Sequence, residues 1–226
     1  MIKNYFTIIK SNTISPGMAG GIGAFLALVF LLTFIILGFI QPGYNHLINT
    51  ISFLVVGTFG WVQTINFFFL AASFVFIGYG LGRHITQKDI NSIFFIFVAF
   101  AVSTIVLAFI PTDNTTVGET IQFKSLSSIG LTHYFVVLGI LLLIPIMLFQ
   151  VLKGMWTHPH WKSYIPFTLS LLIFNFVTGL LWFYFVNLGY LNEWKGLIQK
   201  ILAGNVVFWL VAVGNRLRIL KIRHQH

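Results

Sequence analysis

The side chains of this chain best suited to chemistry are His46, Asp113, His133 and Lys200. Two imidazoles and a carboxylate are a donor set for a divalent metal such as zinc, which would activate a bound water. The same three groups would also serve as a proton relay or a general acid–base pair. Glu119 is a loose candidate for an additional general base. Lys200 is suited to an anionic headgroup, or to snorkelling toward water along its own alkyl stem. The plainer alternative is that His133 and Asp113 tie two helix ends together while His46 is solvated.

These residues lie far apart in the chain, so the elements between them must bring them together. Six long apolar stretches divide the sequence, at about 18–40, 61–81, 91–110, 129–152, 164–186 and 197–215. Each approaches the ~20 residues that cross a hydrocarbon core as a helix. The expected fold is therefore all-α, an integral membrane bundle of six transmembrane helices forming one domain over 1–226. Ser15-Pro16-Gly17 suits the start of the first helix, since Pro is tolerated in the first turn. Gly17 and Gly21 have the spacing of a close helix contact. The segment Tyr44–Gly60 is only partly apolar, broken by glycines, and too short to span. It reads as a short interfacial segment before the second span.

Charge is scarce and unevenly placed. Only 8% of residues are charged, against about 25% in soluble domains, and mean hydropathy is +0.93. The bilayer must be part of the solvent. Of the 13 Lys and Arg, Lys124, Lys195 and Lys200 fall on one side and the other ten on the alternate segments. By the positive-inside rule both termini face the cytoplasm, giving a multi-pass protein of the cell membrane. The net charge of +9 is then explained by loops that set orientation and meet anionic lipid, and nucleic acid is not an expected partner. Membrane lipids are, and the composition leaves room for a homo-oligomer. Cysteine is absent, which removes disulfides, thiolate ligands and a cysteine nucleophile. The N-terminal Met1–Ser15 is too polar for a cleaved signal, so the first span is expected to remain as a helix.

On this topology His46, Asp113 and His133 fall on the non-cytoplasmic side. Gln63 and Asn66, three residues apart, share a helix face below them. Asn175 and Asn205 lie deeper, and Gln199 precedes Lys200. Amides at such depth need a partner or a wet pocket; interhelical hydrogen bonds serve equally well. His158-Pro159-His160, between Trp156 and Trp161-Lys162, reads as an interface anchor rather than a metal site. His224 and His226 belong to a basic tail. The 26 phenylalanines are read as packing and lipid-facing surface.

Several short stretches, in order, resemble the prokaryotic six-span family known as domain of unknown function 998. They are His46–Ser52, Gly60-Trp61, Phe109-Ile110-Pro111-Thr112-Asp113, Gly130-Leu131-Thr132-His133, Gly196–Lys200 and Val207-Phe208-Trp209. The resemblance extends from about Gly20 to Arg218. It implies six spans and marks His46, Asp113, His133 and Lys200, but implies no activity. A more distant likeness is to membrane proteins that include GPI-lipid remodelling and autophagy-modulator proteins.

The residues thus suggest an outer-face polar pocket that binds a lipid headgroup or small amphiphile, lined by His46, Asp113, His133, Lys200, Gln63 and Asn66. The alternatives are an intramembrane metal-dependent hydrolase using His46, Asp113 and His133, a transmembrane haem electron carrier, and a small transporter. The haem reading is weakened because the histidines sit at helix ends and in loops. The transporter reading is weakened because no repeat or buried charge is evident.

Overall fold

The computed structural model describes residues 14–86, 91–113, 126–187 and 192–223. Six helices are long and apolar enough to cross a membrane. We label the helices α1 (Pro16–Ile40), α2 (Gly60–Thr86), α3 (Ser92–Phe109), α4 (Ser128–Thr157), α5 (Ile165–Asn187) and α6 (Lys195–Arg223). No strand occurs among the described residues. Each helix packs on the next in chain order, and α1 closes the ring by packing on α6.

Small polar residues start three of the helices, α1, α3 and α4. Ser15 accepts the Met18 amide, Asn91 that of Phe94 and Ser127 that of Gly130, each filling an otherwise orphaned donor. Most helices outrun the predicted spans at their polar ends: α2 continues to Thr86, α4 to Thr157 and α6 to Arg223. Hydropathy locates the part of a helix that must avoid water, whereas backbone hydrogen bonding carries on beyond it. The stretch between the second and third expected spans is therefore helix as far as Thr86, and 87–90 lies outside the described residues. Glu119, His224 and His226 also lie outside them.

Glycine decides how closely α1 and α6 approach. A Cβ on Gly20 would stand 2.7 Å from the Gly214 carbonyl oxygen and 2.6 Å from Leu217 Cβ. Gly23 is similarly pressed on Ile77 of α2. The tight contact runs through Gly20 and Gly23, while Gly21 leaves ordinary space before Arg218, at 3.6 Å. Phe30, Phe34, Phe67, Phe74, Phe97 and Phe100 fill the interior, and others such as Phe25 and Phe95 face outward. Helix α4 carries Pro145 in its interior.

The segment between α1 and α2 contains a 3-10 helix, Ile51–Val56, whose Ile51, Ser52 and Leu54 are buried. It packs into the main core instead of merely lying over the helix ends. The two imidazoles of His158 and His160 are near each other, with ring centres 5.6 Å apart, and His84 is 5.0 Å from His158. Trp161, expected as a surface anchor, is fully buried and donates its indole N–H to His84 Nδ1 at 3.2 Å. The apolar ring is covered by the bundle because the 3-10 turn Pro159–Tyr164 folds it inward.

Candidate functional site

Two of the sequence stretches singled out above, Gly196–Lys200 and Gly130–His133, reach the segment 46–52. At the start of α6, Leu197 N–H donates to the Leu47 carbonyl at 3.0 Å. Two residues on, Gln199 Oε1 accepts the Ile51 N–H at 2.8 Å. Lys200 Nζ donates to the carbonyls of His46 at 3.0 Å, Asn49 at 2.5 Å and Gly196 at 3.3 Å. Gly196 has no room for a side chain, because Asn49 and Ile48 backbone atoms lie against it. The Gly196–Lys200 stretch is therefore a handle that holds the loop down. Tyr44 helps, pointing its hydroxyl at the Asn49 and Thr50 carbonyls and its ring beneath the Lys200 ammonium at 5.0 Å. Burial pushes the Tyr44 phenol above its ordinary range, so the hydroxyl remains a donor.

The end of α3 and the start of α4 form a second clasp. Asp113 accepts Ser127 N–H on Oδ2 and Ser127 Oγ–H on Oδ1, both at 2.7 Å. The carboxylate thus sits at the positive end of the α4 dipole, where an anion is favoured. Gly130 lies directly against it, and any Cβ there would collide with the carboxylate. One turn later, His133 places Nδ1 2.7 Å from the Ile110 carbonyl oxygen and Nε2 3.1 Å from Ser52 Oγ. A carbonyl can only accept, so Nδ1 carries the proton. In the neutral ring Nε2 is then the acceptor and Ser52 the donor. Thr50 Oγ1 lies 3.2 Å from Ser52 Oγ and completes the chain.

Two cavities meet at this point. A cavity of about 70 Å³, more polar than its neighbour, is lined by Asp113, His133, Ser52, Thr112, Lys195 and Gln199 together with apolar side chains such as Phe53 and Val137. An apolar chamber of about 130 Å³ lies within the helical ring. Every helix contributes to its wall, through Phe30, Phe74, Phe100, Ile144, Trp182 and Val206. Ser52, Val137, Trp182 and Gln199 line both. The pair is a polar cup at the head of an oily chamber. Trp182 is fixed at this seam by donating its N–H to the Lys195 carbonyl at 3.2 Å.

The expected residues divide accordingly. Asp113 and His133 share the polar cup, whereas His46 and Lys200 line neither cavity. The His46 imidazole is turned toward the end of α1, where it packs on Gly38, on the Phe39 ring at 4.6 Å and on Tyr44 at 5.3 Å. His133 already spends both ring nitrogens, and Asp113 both oxygens, on protein partners. The anticipated His46–Asp113–His133 metal triad is therefore not assembled, and no group of three metal-ligating side chains gathers among the described residues. Lys200, expected at a headgroup, directs its ammonium at three backbone carbonyls and braces the loop. Gln63 and Asn66 also stand apart from the cup. They are buried between α1 and α2, with Asn66 Nδ2 donating to the Phe30 carbonyl at 3.1 Å and to Gln63 Oε1 at 3.2 Å, and line neither cavity. Ser52 and Gln199 do not stand out in the sequence as site residues, because a hydroxyl and an amide near a loop are ordinary. The available signal was that both lie inside the stretches carrying the family resemblance.

The family described as a protein of unknown function, DUF998, matches residues 22–216. The chain belongs to that family. No curated protein and no solved structure is significantly similar to this DUF998 protein. Its matched region includes both clasps and both cavities, and it ends inside α6.

His46 is expected to give the DUF998 chain a pH response. Burial holds its imidazole below the ordinary value of 6.5, and the nearby Lys200 ammonium lowers it further. The folded state therefore favours the neutral ring. Stability from this group is complete above the unfolded value near 6.5 and is lost as pH falls from there through the folded value. Lowering the pH from about 7 to about 5 should reduce the melting temperature of the purified protein, and His46→Gln should reduce less. Equal losses in both proteins would remove His46 as a source of the effect.

Proposed function

We propose that this membrane protein binds a small amphiphile, its head in the polar cup and its chain in the apolar chamber. The observation that carries this reading is the shared seam of Ser52, Val137, Trp182 and Gln199 between a polar and an apolar cavity. Size narrows the occupant. An apolar cavity of ~150 Å³ accepts benzene, and water takes ~30 Å³ in the liquid. The chamber thus suits a chain of roughly six carbons beyond the seam, and the cup a compact hydrogen-bonding head. This favours one short chain with a compact hydrogen-bonding head over a two-chain phospholipid. The distribution of basic residues supports placing the cup on the face opposite the cytoplasmic termini.

Monooctanoylglycerol is a suitable probe. Added to the purified protein well above its dissociation constant, it should raise the melting temperature, since a ligand at ~100-fold excess over Kd stabilises by about 2.7 kcal/mol. Ala203 lines only the apolar chamber, and Ala203→Phe would fill it from α6. The variant should melt near the unliganded wild type but show no response to the probe. A response retained in full by Ala203→Phe would place the ligand elsewhere.

A further inference from the structure

We propose that Ser52 and His133 form a nucleophile–base pair that cleaves an acyl ester held across the two cavities. The inference rests on the amphiphile reading above and adds a reaction to it. Its geometric basis is the Ser52 Oγ to His133 Nε2 distance of 3.1 Å. That falls within the ~2.6–3.2 Å expected for a serine activated by an adjacent base. The base is oriented by a third group, the Ile110 carbonyl on Nδ1. This contact selects the tautomer whose Nε2 lone pair faces the hydroxyl. A carbonyl here does the orienting that a carboxylate does in the familiar triads. Asp113 lines the same cup, and its negative charge favours the imidazolium that forms when the proton is taken.

The hydroxyl is also in the right place. Ser52 lines both cavities, so a carbonyl carbon at the seam would direct its acyl chain into the chamber and its alcohol into the cup. Gln199 lines the same seam. Its Oε1 is engaged by Ile51, and among the described residues its Nε2 has no hydrogen-bond partner. That amide is a donor available to the oxyanion. A purely structural Ser–His bond explains neither the position of the hydroxyl at the junction nor the spare donor beside it.

The step balances with water as co-reactant. Ser52 Oγ adds to the ester carbonyl carbon while its proton passes to His133 Nε2, and the oxyanion is held by Gln199 Nε2–H. The C–O bond to the alcohol then breaks, and the leaving oxygen takes the proton back from Nε2. Water, deprotonated at Nε2, attacks the acyl-serine. The carboxylic acid departs, and Ser52 regains its proton from the imidazolium.

An alkyl fluorophosphonate tests the pair on the full-length protein purified in detergent. Ser52 Oγ would displace fluoride from phosphorus, and peptide mass spectrometry should place the adduct on Ser52. Ser52→Ala should carry no adduct, and His133→Gln should label at least ~10²-fold more slowly, the usual loss of a general base. The same wild-type preparation should release octanoate from monooctanoylglycerol. Folded wild type that stays unlabelled, or an adduct that persists in Ser52→Ala, overturns the pair. Probe uptake without labelling refutes the catalytic pair and supports the binding site alone. Labelling of Ser52 without probe uptake supports the pair and refutes the amphiphile reading. Wild-type mapping needs no variant, so a poorly folded His133→Gln leaves the test intact.

Discussion

Lys200→Met should lower the melting temperature by roughly 10 °C. The reasoning starts from three carbonyl oxygens, those of His46, Asn49 and Gly196, that converge on one ammonium. A hydrogen bond to a charged group contributes about 1.5–3 kcal/mol net, and bonds sharing a donor are not additive. A loss of about 3 kcal/mol follows, at ~2–4 °C per kcal/mol for a chain of this size. Methionine keeps the alkyl stem, so the loss reports the ammonium rather than packing. Lys200→Arg should recover little, because a planar fork cannot aim at three carbonyls arranged around a point. Loss of the strut should also free the segment 46–52 and with it Ser52, so the response to monooctanoylglycerol should fall. A melting temperature that does not move would mean that the ammonium is held by water in solution and that the loop is fixed by Gln199 and Leu197 alone.

Gly214→Leu should be at least as damaging. A Cβ on Gly214 would lie 2.8 Å from Ala24 Cβ and from Ile77 Cδ1, and would press still harder on the Gly20 carbonyl oxygen. The last is backbone on a helix that cannot turn aside. Ordinary overpacking costs about 1–3 kcal/mol where side chains can adjust. Here the longer branches of leucine must separate α1 from α6, which opens the ring at its closing contact. The expected outcome is loss of monodisperse protein in size-exclusion chromatography, or a melting temperature lowered by more than that of Lys200→Met. Gly204, with open space around its Cβ position, is the control: Gly204→Ala should be neutral or slightly stabilising. If Gly214→Leu behaves like Gly204→Ala, α1 and α6 do not pack as described.

Much of the fold was legible because bilayer solvation punishes charge along the whole length of a span. That constraint marks the six helices but not their ends, as Thr86, Thr157 and Arg223 illustrate. The site was legible in part. Asp113 and His133 are one structural unit because Gly130 makes room for the carboxylate, and the spacing of those residues carried that information. His46 was misplaced because nothing in a short loop reveals which way a ring turns, and here Gly38 provides a seat facing away from the cup. A lone lysine near a membrane face looks the same in sequence whether it meets a headgroup or three backbone oxygens. Ser52 and Gln199 acquire meaning only when residues 81 and 148 positions away are brought against them.

Pro145 bears on how the chamber takes its occupant. Proline brings no N–H, so the Leu141 carbonyl one turn earlier receives no bond from it. Leu141 and Ile144 both belong to the chamber wall. Helix α4 is thus weakest in bending at the very level where the oily space lies. A chain longer than the resting volume admits would be taken in by flexing this one wall, leaving the cup and its Ser52–His133 contact undisturbed at the far end.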